Sequence, residues 1–215
     1  FAGRIDKAIC NIDDVEYELF PNWKAISALH GTDNCISHER CDFEIIEKDD
    51  YIDVIFTYLE KETTLPGDVN YEIIYRIFSN ENTFTIFMNA ISNKKTILNL
   101  TNHTYFNLSG NGKRTILDQN LQLFCDRYTK LNDELITTSI ERVDKVMDFQ
   151  KGKLIGKHIN DKSLQKHTAF GYDHCFFKTN EDDDLIAIMI DKKSSRKLSI
   201  YSSLPSIVCY SGNYI

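Results

Sequence analysis

Apolar and polar residues alternate with a period of two along most of this chain. In 69–78, Val69, Tyr71, Ile73, Tyr75 and Ile77 fall on one face, with Asn70, Glu72 and Arg76 on the other. In 83–91, Phe84, Ile86, Met88 and Ala90 oppose Thr83, Thr85 and Asn89. Successive side chains of a strand point to opposite faces, so this pattern predicts strands with one packed side. The runs 42–47, 51–59, 120–125, 185–191 and 197–203 read the same way and are rich in Ile, Phe, Tyr and Val. Pro66-Gly67 predicts a turn, and Ser79-Asn80-Glu81-Asn82 predicts a hairpin loop between two of the strands. The one helical pattern, a poor one, covers 151–166. Many closely spaced strands without alternating helices predict an all-β fold, a large antiparallel β-sandwich rather than a βαβ arrangement. With no internal repeat or low-complexity stretch, residues 1–215 are expected to form one domain.

Composition narrows the partners. Of 215 residues, 42% are hydrophobic and 27% charged, enough to build a core. The net charge of -7 argues against nucleic acid, whose phosphates need clustered Lys and Arg. No apolar run approaches the roughly 20 residues needed to cross a bilayer, so no membrane partner is expected. Six cysteines (Cys10, Cys35, Cys41, Cys125, Cys175 and Cys209) are too scattered for a disulfide scaffold. They read as free thiols in a reducing compartment, and a cytoplasmic location is expected. Cys35-x-x-His38-x-x-Cys41 has soft ligands at tight spacing but lacks a fourth at matching spacing, so neither metal nor cofactor is expected.

The most unusual segment is Asn99-Leu-Thr-Asn-His-Thr-Tyr-Phe-Asn-Leu-Ser-Gly110, which begins like a strand. Asn is poor in strand interiors. This density of amide and hydroxyl groups is therefore either a gathering of ligand contacts or a hydrogen-bonded transition from strand to loop.

That segment closely resembles the Asn-Leu-Thr-Asn-His-Ser-Tyr-Phe-Asn-Leu motif of the galactose mutarotase (aldose 1-epimerase) family. Shorter similarities follow in the family's order. They are Gly3-Arg4-Ile5, Leu29-His30-Gly31, Leu65-Pro66-Gly67, Asp126-Arg127-Tyr128-Thr129, Gly171-Tyr172-Asp173-His174 and Tyr210-Ser211-Gly212-Asn213. They run from residue 3 to residue 213. The resemblance implies a mutarotase-like supersandwich and interconversion of the α and β anomers of a free hexose by acid/base ring opening. It implies His103 as general acid and His30 as a second imidazole near the ring oxygen. Asp173, Tyr105 and Arg4 would contact the sugar. The remaining histidines match no catalytic position, although His174 lies within the Asp-His motif.

The match also has departures. An Asn-Arg pair that contacts substrate in the family falls on Lys7 and Ala8, and neither reproduces the Arg fork of donors. A sugar-contacting Gln falls on Val208, which can neither donate nor accept. The family's catalytic Glu lies beyond the Gly-Asn landmark, so no residue here takes the role of base. A chain that opens and closes inside family motifs is expected to lack N- and C-terminal parts of the family fold. The competing expectation is a non-catalytic carbohydrate-binding or regulatory protein that kept the sandwich and lost part of the site.

Overall fold

The computed structural model describes residues 1–31, 35–167 and 171–215. The chain divides into two compact units, Phe1–His103 and Thr104–Ile215. The first contains β1 (Arg4–Ile5), β2 (Ile9–Ile12), β3 (Val15–Glu18), β4 (Ala28–Leu29), β5 (Asp42–Glu47), β6 (Tyr51–Glu60), β7 (Val69–Phe78) and β8 (Phe84–Ser92). The second contains β9 (Asn120–Leu123), β10 (Cys125–Leu131), β11 (Thr137–Arg142), β12 (Lys153–Leu154), β13 (Asp173–Lys178), β14 (Leu185–Asp191), β15 (Arg196–Tyr201) and β16 (Ser206–Tyr210). The fold is all-β and antiparallel, as the alternation predicts.

In the first unit, β5-β6-β7-β8 form a meander in which every neighbouring pair is antiparallel. The predicted 79–82 loop joins β7 to β8, and Phe78 N–H donates to Thr83 O across it at 3.3 Å. Val69 and Tyr71 are buried on the face that the pattern assigns to the core. Cross-strand partners Asp53 and Arg76 form a bidentate pair, both bonds 2.8 Å, with the guanidinium 4.0 Å above the Tyr51 ring. Beside this sheet, β1 pairs β4 and β2 pairs β3. Ala8, Leu19 and Ala28 are buried there, with Phe1, Ile5, Cys10 and Leu65 packed against them.

The second unit is a sandwich of two four-stranded sheets, β11-β10-β13-β16 and β12-β9-β14-β15. Its core draws on both: Cys125, Tyr128 and Phe176 from one, Leu121, Leu123, Ile186, Ala187 and Met189 from the other. Met147, Phe149, Ile155, Leu164 and Tyr172, from segments between the strands, complete it.

Three local expectations change. The predicted strand 120–125 is two strands, because the chain passes from one sheet to the other at Phe124, whose N–H donates to Ile186 O at 3.0 Å. Strands β10, β11, β13 and β16 escape the period-two reading; in β10 and β13 buried polar residues interrupt it. Lys178, 2% exposed, is one of them, and its ammonium donates to Ser202 O at 2.6 Å. The weak helical stretch holds only a 3-10 turn over Ile155–His158 and a short helix over Lys162–His167.

Candidate active site

The 99–110 segment does not become a strand; its backbone has no ladder partner from 99 to 107. Its first part is fixed to the residues before β1. Ala2 N–H donates to Asn99 O at 2.7 Å, and the Asn99 amide returns a bond to Ala2 O at 3.1 Å. Asn102 donates to the Tyr75 hydroxyl at 3.2 Å. The later part is structural. Asn107 donates to Arg114 O and accepts from Ser109 N–H and Gln119, organising a turn. The reading as a hydrogen-bonded transition into a loop thus holds for Asn107–Gly110.

His30 follows β4 with a φ of 55°, a left-handed conformation that His tolerates better than most residues. A clamp imposes it. Asn22 accepts from Leu29 N–H at 2.6 Å and donates to Leu29 O at 3.0 Å and to Gly31 O at 3.4 Å. Gly31 has a φ of 95°, and a Cβ there would stand 2.6 Å from the Cys35 Cβ. His30 N–H also donates to Gly3 O at 3.0 Å, and Gly3 N–H donates to His30 Nδ1 at 3.2 Å. Gly3 thereby links β1, His30 and, through Ala2, the Asn99 segment.

The consequence is a facing imidazole pair. His30 Nε2 and His103 Nε2 lie 3.4 Å apart, with ring centroids at 4.8 Å and planes at 84°. A backbone N–H can only donate, so His30 Nδ1 accepts and neutral His30 carries its proton on Nε2. That N–H points at His103 Nε2. Partial desolvation, then the fields of His103 and Arg4, push the His30 pKa from 6.5 down to about 4. Arg4 stands on β1 opposite Leu29, its guanidinium 4.9 Å above the Trp23 ring. The first unit thus brings together His30, His103 and Arg4.

A testable consequence follows from the sign of this shift. Between about pH 6.5 and about pH 4 the unfolded chain binds a proton at His30 that the folded chain refuses, so stability falls as pH drops through that window. Urea unfolding followed across that range is expected to show this loss, and His30→Gln is expected to make it smaller. An identical acid dependence in the variant would assign the loss to other groups.

The departures lie nearby in this unit. Lys7 and Ala8 both have φ of 53°, left-handed like the turn they form, and Ala8 is 3% exposed within the small core. Asn is favoured in this backbone region over Lys.

In the second unit, β13 alternates Asp173, Cys175 and Phe177 with buried His174, Phe176 and Lys178. Asp173 pairs directly with Tyr210, and Cys175 with Val208, so these four share a face. Tyr105 packs on Tyr210 with centroids 5.6 Å apart. Burial, then Tyr210 and Asp173, raise the Tyr105 pKa, which places Asp173 within electrostatic reach of both rings. Two landmarks distant in sequence clasp each other here. Ser211 Oγ accepts from Tyr172 N–H at 2.8 Å, and Asn213 donates to Tyr172 O at 3.0 Å. A Cβ on Gly171 would stand 2.1 Å from Asn213 Oδ1, so the clasp requires glycine at that position. Val208 is 61% exposed on the same face.

Sequence reasoning missed Asn22 and the Gly3 N–H as supports of His30, and Trp23 as the ring under Arg4. No local signal marks them, because each acts through backbone groups or a stacked ring. Cys35 Sγ lies 4.0 Å from His38 Nδ1 and 2.9 Å from Ser37 Oγ. Among the described residues, no three His, Cys, Asp or Glu side chains converge as a metal site would need.

An antiparallel β-sandwich protein with a facing imidazole pair in one unit and a carboxylate beside stacked tyrosines in the other is equipped for proton transfer and hydroxyl recognition. A family model described as aldose 1-epimerase matches residues 1–215, and the chain belongs to that family. It is 27% identical over its full length to galactose mutarotase of Rattus norvegicus, covering 60% of that protein. It is 30% identical over 97% of its length to aldose 1-epimerase of Streptococcus thermophilus, covering 59% of it. A solved galactose 1-epimerase from Lactobacillus acidophilus superposes with a TM-score of 0.85 at 26% identity, over 99% of this chain and 62% of that one. The chain therefore spans about 60% of the length of the curated relatives it matches.

Proposed function

We propose that this protein is an aldose 1-epimerase acting on a free hexose, galactose or glucose, with residues 1–215 forming part of one mutarotase-like domain. The observation that carries the proposal is the His30–His103 pair, supported by family membership over the whole chain. In the reaction, a base removes the proton of the C1 hydroxyl. The C1–ring oxygen bond breaks as the C1 carbonyl forms, and an acid protonates the ring oxygen. Rotation about C1–C2 and reversal of these steps closes the ring on the other face. His103 takes the acid role, which an imidazole can fill. His30, held neutral by its depressed pKa, accepts from Gly3 N–H at Nδ1 and keeps a fixed Nε2–H donor beside the His103 ring. Arg4, Asp173 and Tyr105 hold sugar hydroxyls, and a hydroxyl group left unpaired on binding costs about 1–3 kcal/mol. No residue of the chain is assigned the base.

The six cysteines are free thiols, which supports a reducing, cytoplasmic setting. No helix among the described residues is long and apolar enough to cross a membrane.

Polarimetry of freshly dissolved α-D-galactose and α-D-glucose with the full-length protein tests the reading. Mutarotation faster than in buffer is expected with at least one sugar. A rate equal to buffer with both, while either sugar still binds, would replace the enzyme by a carbohydrate-binding protein.

A further inference from the structure

The second unit contains a cavity of about 230 Å³ lined by Lys145, Asp148, Lys151, Gly152, Lys153, Lys157 and His158. Four lysines against one carboxylate give the lining a charge of +3 with His neutral, on a chain whose net charge is -7. Nothing in the proton-transfer chemistry calls for such a concentration of cations.

The site is built rather than a chance meeting of surface lysines. Lys153, on β12, is nine-tenths buried, and its ammonium donates to Lys145 O at 3.3 Å and Val146 O at 2.5 Å. The same ammonium lies 4.2 Å above the Phe149 ring. These partners fix a positive charge in the pocket without neutralising it. Gly152 makes the turn that brings Lys151 and Lys153 to the pocket. Its φ is 72°, and a Cβ there would stand 2.8 Å from Asn120 Oδ1. Lys145, Lys151 and Lys157 are exposed, and no carboxylate among the described residues lies within ion-pair distance of their ammonium groups.

The acids nearby are occupied otherwise. Asp148 accepts from Gln150 N–H, Asp144 from Val146 and Met147 N–H, and Asp161 from Ser163. Each caps the backbone instead of pairing with a lysine. The lysine fields converge on the imidazole: desolvation, then Lys153, Lys157 and Lys145, lower the His158 pKa. Burial, offset in part by Asp148, with Lys157 adding to the depression, brings the Lys153 pKa down to about 8. Like charges held this close repel one another, and a multiply charged anion among them would relieve the repulsion. Lys is a point-charge donor well suited to phosphate. The volume falls below the roughly 300–1,000 Å³ typical of drug-sized ligands, and leaves room for a phosphate group with a small organic body.

We propose that this lysine pocket binds a phosphate group, carried on a small phosphorylated metabolite or as free phosphate, at a site separate from His30 and His103. The proposal does not depend on the mutarotase reading.

The test is a titration of the full-length protein with inorganic phosphate, followed through the His158 imidazole resonances, with chloride at matched ionic strength as control. Saturable shifts and a rise of the His158 pKa on binding are expected. The double variant Lys145→Gln/Lys157→Gln, in which both replaced side chains are exposed, is expected to weaken binding at least about tenfold. A hexose phosphate used as the second probe separates the sources: tighter binding than inorganic phosphate identifies an ester, and equal or weaker binding identifies the free ion. Shifts no larger than those in chloride would overturn the proposal, as would an unchanged affinity in the double variant.

Discussion

Replacing His103 by Asn in the full-length protein is expected to lower the catalysed mutarotation rate by about 10²- to 10⁴-fold, the usual contribution of a positioned general acid or base. Asn keeps a planar polar side chain of similar reach but carries no exchangeable proton near neutral pH. The geometry makes the loss specific to His103. His30 cannot substitute, because its Nδ1 is committed to the Gly3 N–H and its pKa stands at about 4, so near pH 7 it holds no second proton to give. His103 is exposed, so the exchange is expected to leave the fold intact. Polarimetry on the variant, with far-ultraviolet circular dichroism to verify the β structure, checks this. A variant as fast as wild type would remove His103 from the acid role.

Phe176→Ala is expected to cost about 3–5 kcal/mol in the stability of the second unit, whereas Phe177→Ala should cost about 1 kcal/mol or less. The two residues are consecutive in β13 and point to opposite faces. Phe176 is 0% exposed at the centre of the sandwich core, with the Tyr128 and Phe149 rings each 6.2 Å away by centroid. Truncation there removes a ring's worth of buried surface and leaves a cavity that close-packed neighbours fill only in part. Phe177 is partly open on the other face, with the Arg127 guanidinium 5.8 Å from its ring. Urea unfolding of both variants provides the comparison. Equal losses would mean that the assignment of faces in β13 is wrong. Asp173, which shares the Phe177 face, would then be misplaced too.

The strands that were legible share one property. In β7 and β8 the packed face is apolar, so a period of two survives in the residue types. β10 and β13 hide theirs, because Thr129 and Lys178 are buried and satisfied by partners from other elements, and His174 is buried against the Tyr128 ring. Thr129 accepts from Cys175 N–H at 3.1 Å, and Lys178 donates to Ser202 O. Such burial is favourable only once the partner is in place, so the strand cannot be recognised from its own residues. The site divides in the same way. His103 and Tyr105 stand out within one dense motif, but residue types alone leave open which of Asn99, Asn102 and Asn107 spends its side chain on a turn.

From the sequence came the antiparallel all-β class, the free thiols, the likeness to mutarotases and the identity of both imidazoles. These rest on residue type and short-range spacing, which a chain carries whether or not it is folded. Only the tertiary structure decided that His30 meets His103, 73 positions further along the chain. It also decided that Gly3 fixes the His30 tautomer, and that Gly171–Asp173 clasps Ser211–Asn213 to set Asp173 beside Tyr210. Each of these depends on backbone N–H and C=O groups whose direction no side chain specifies. They acquire a direction only when distant segments pack.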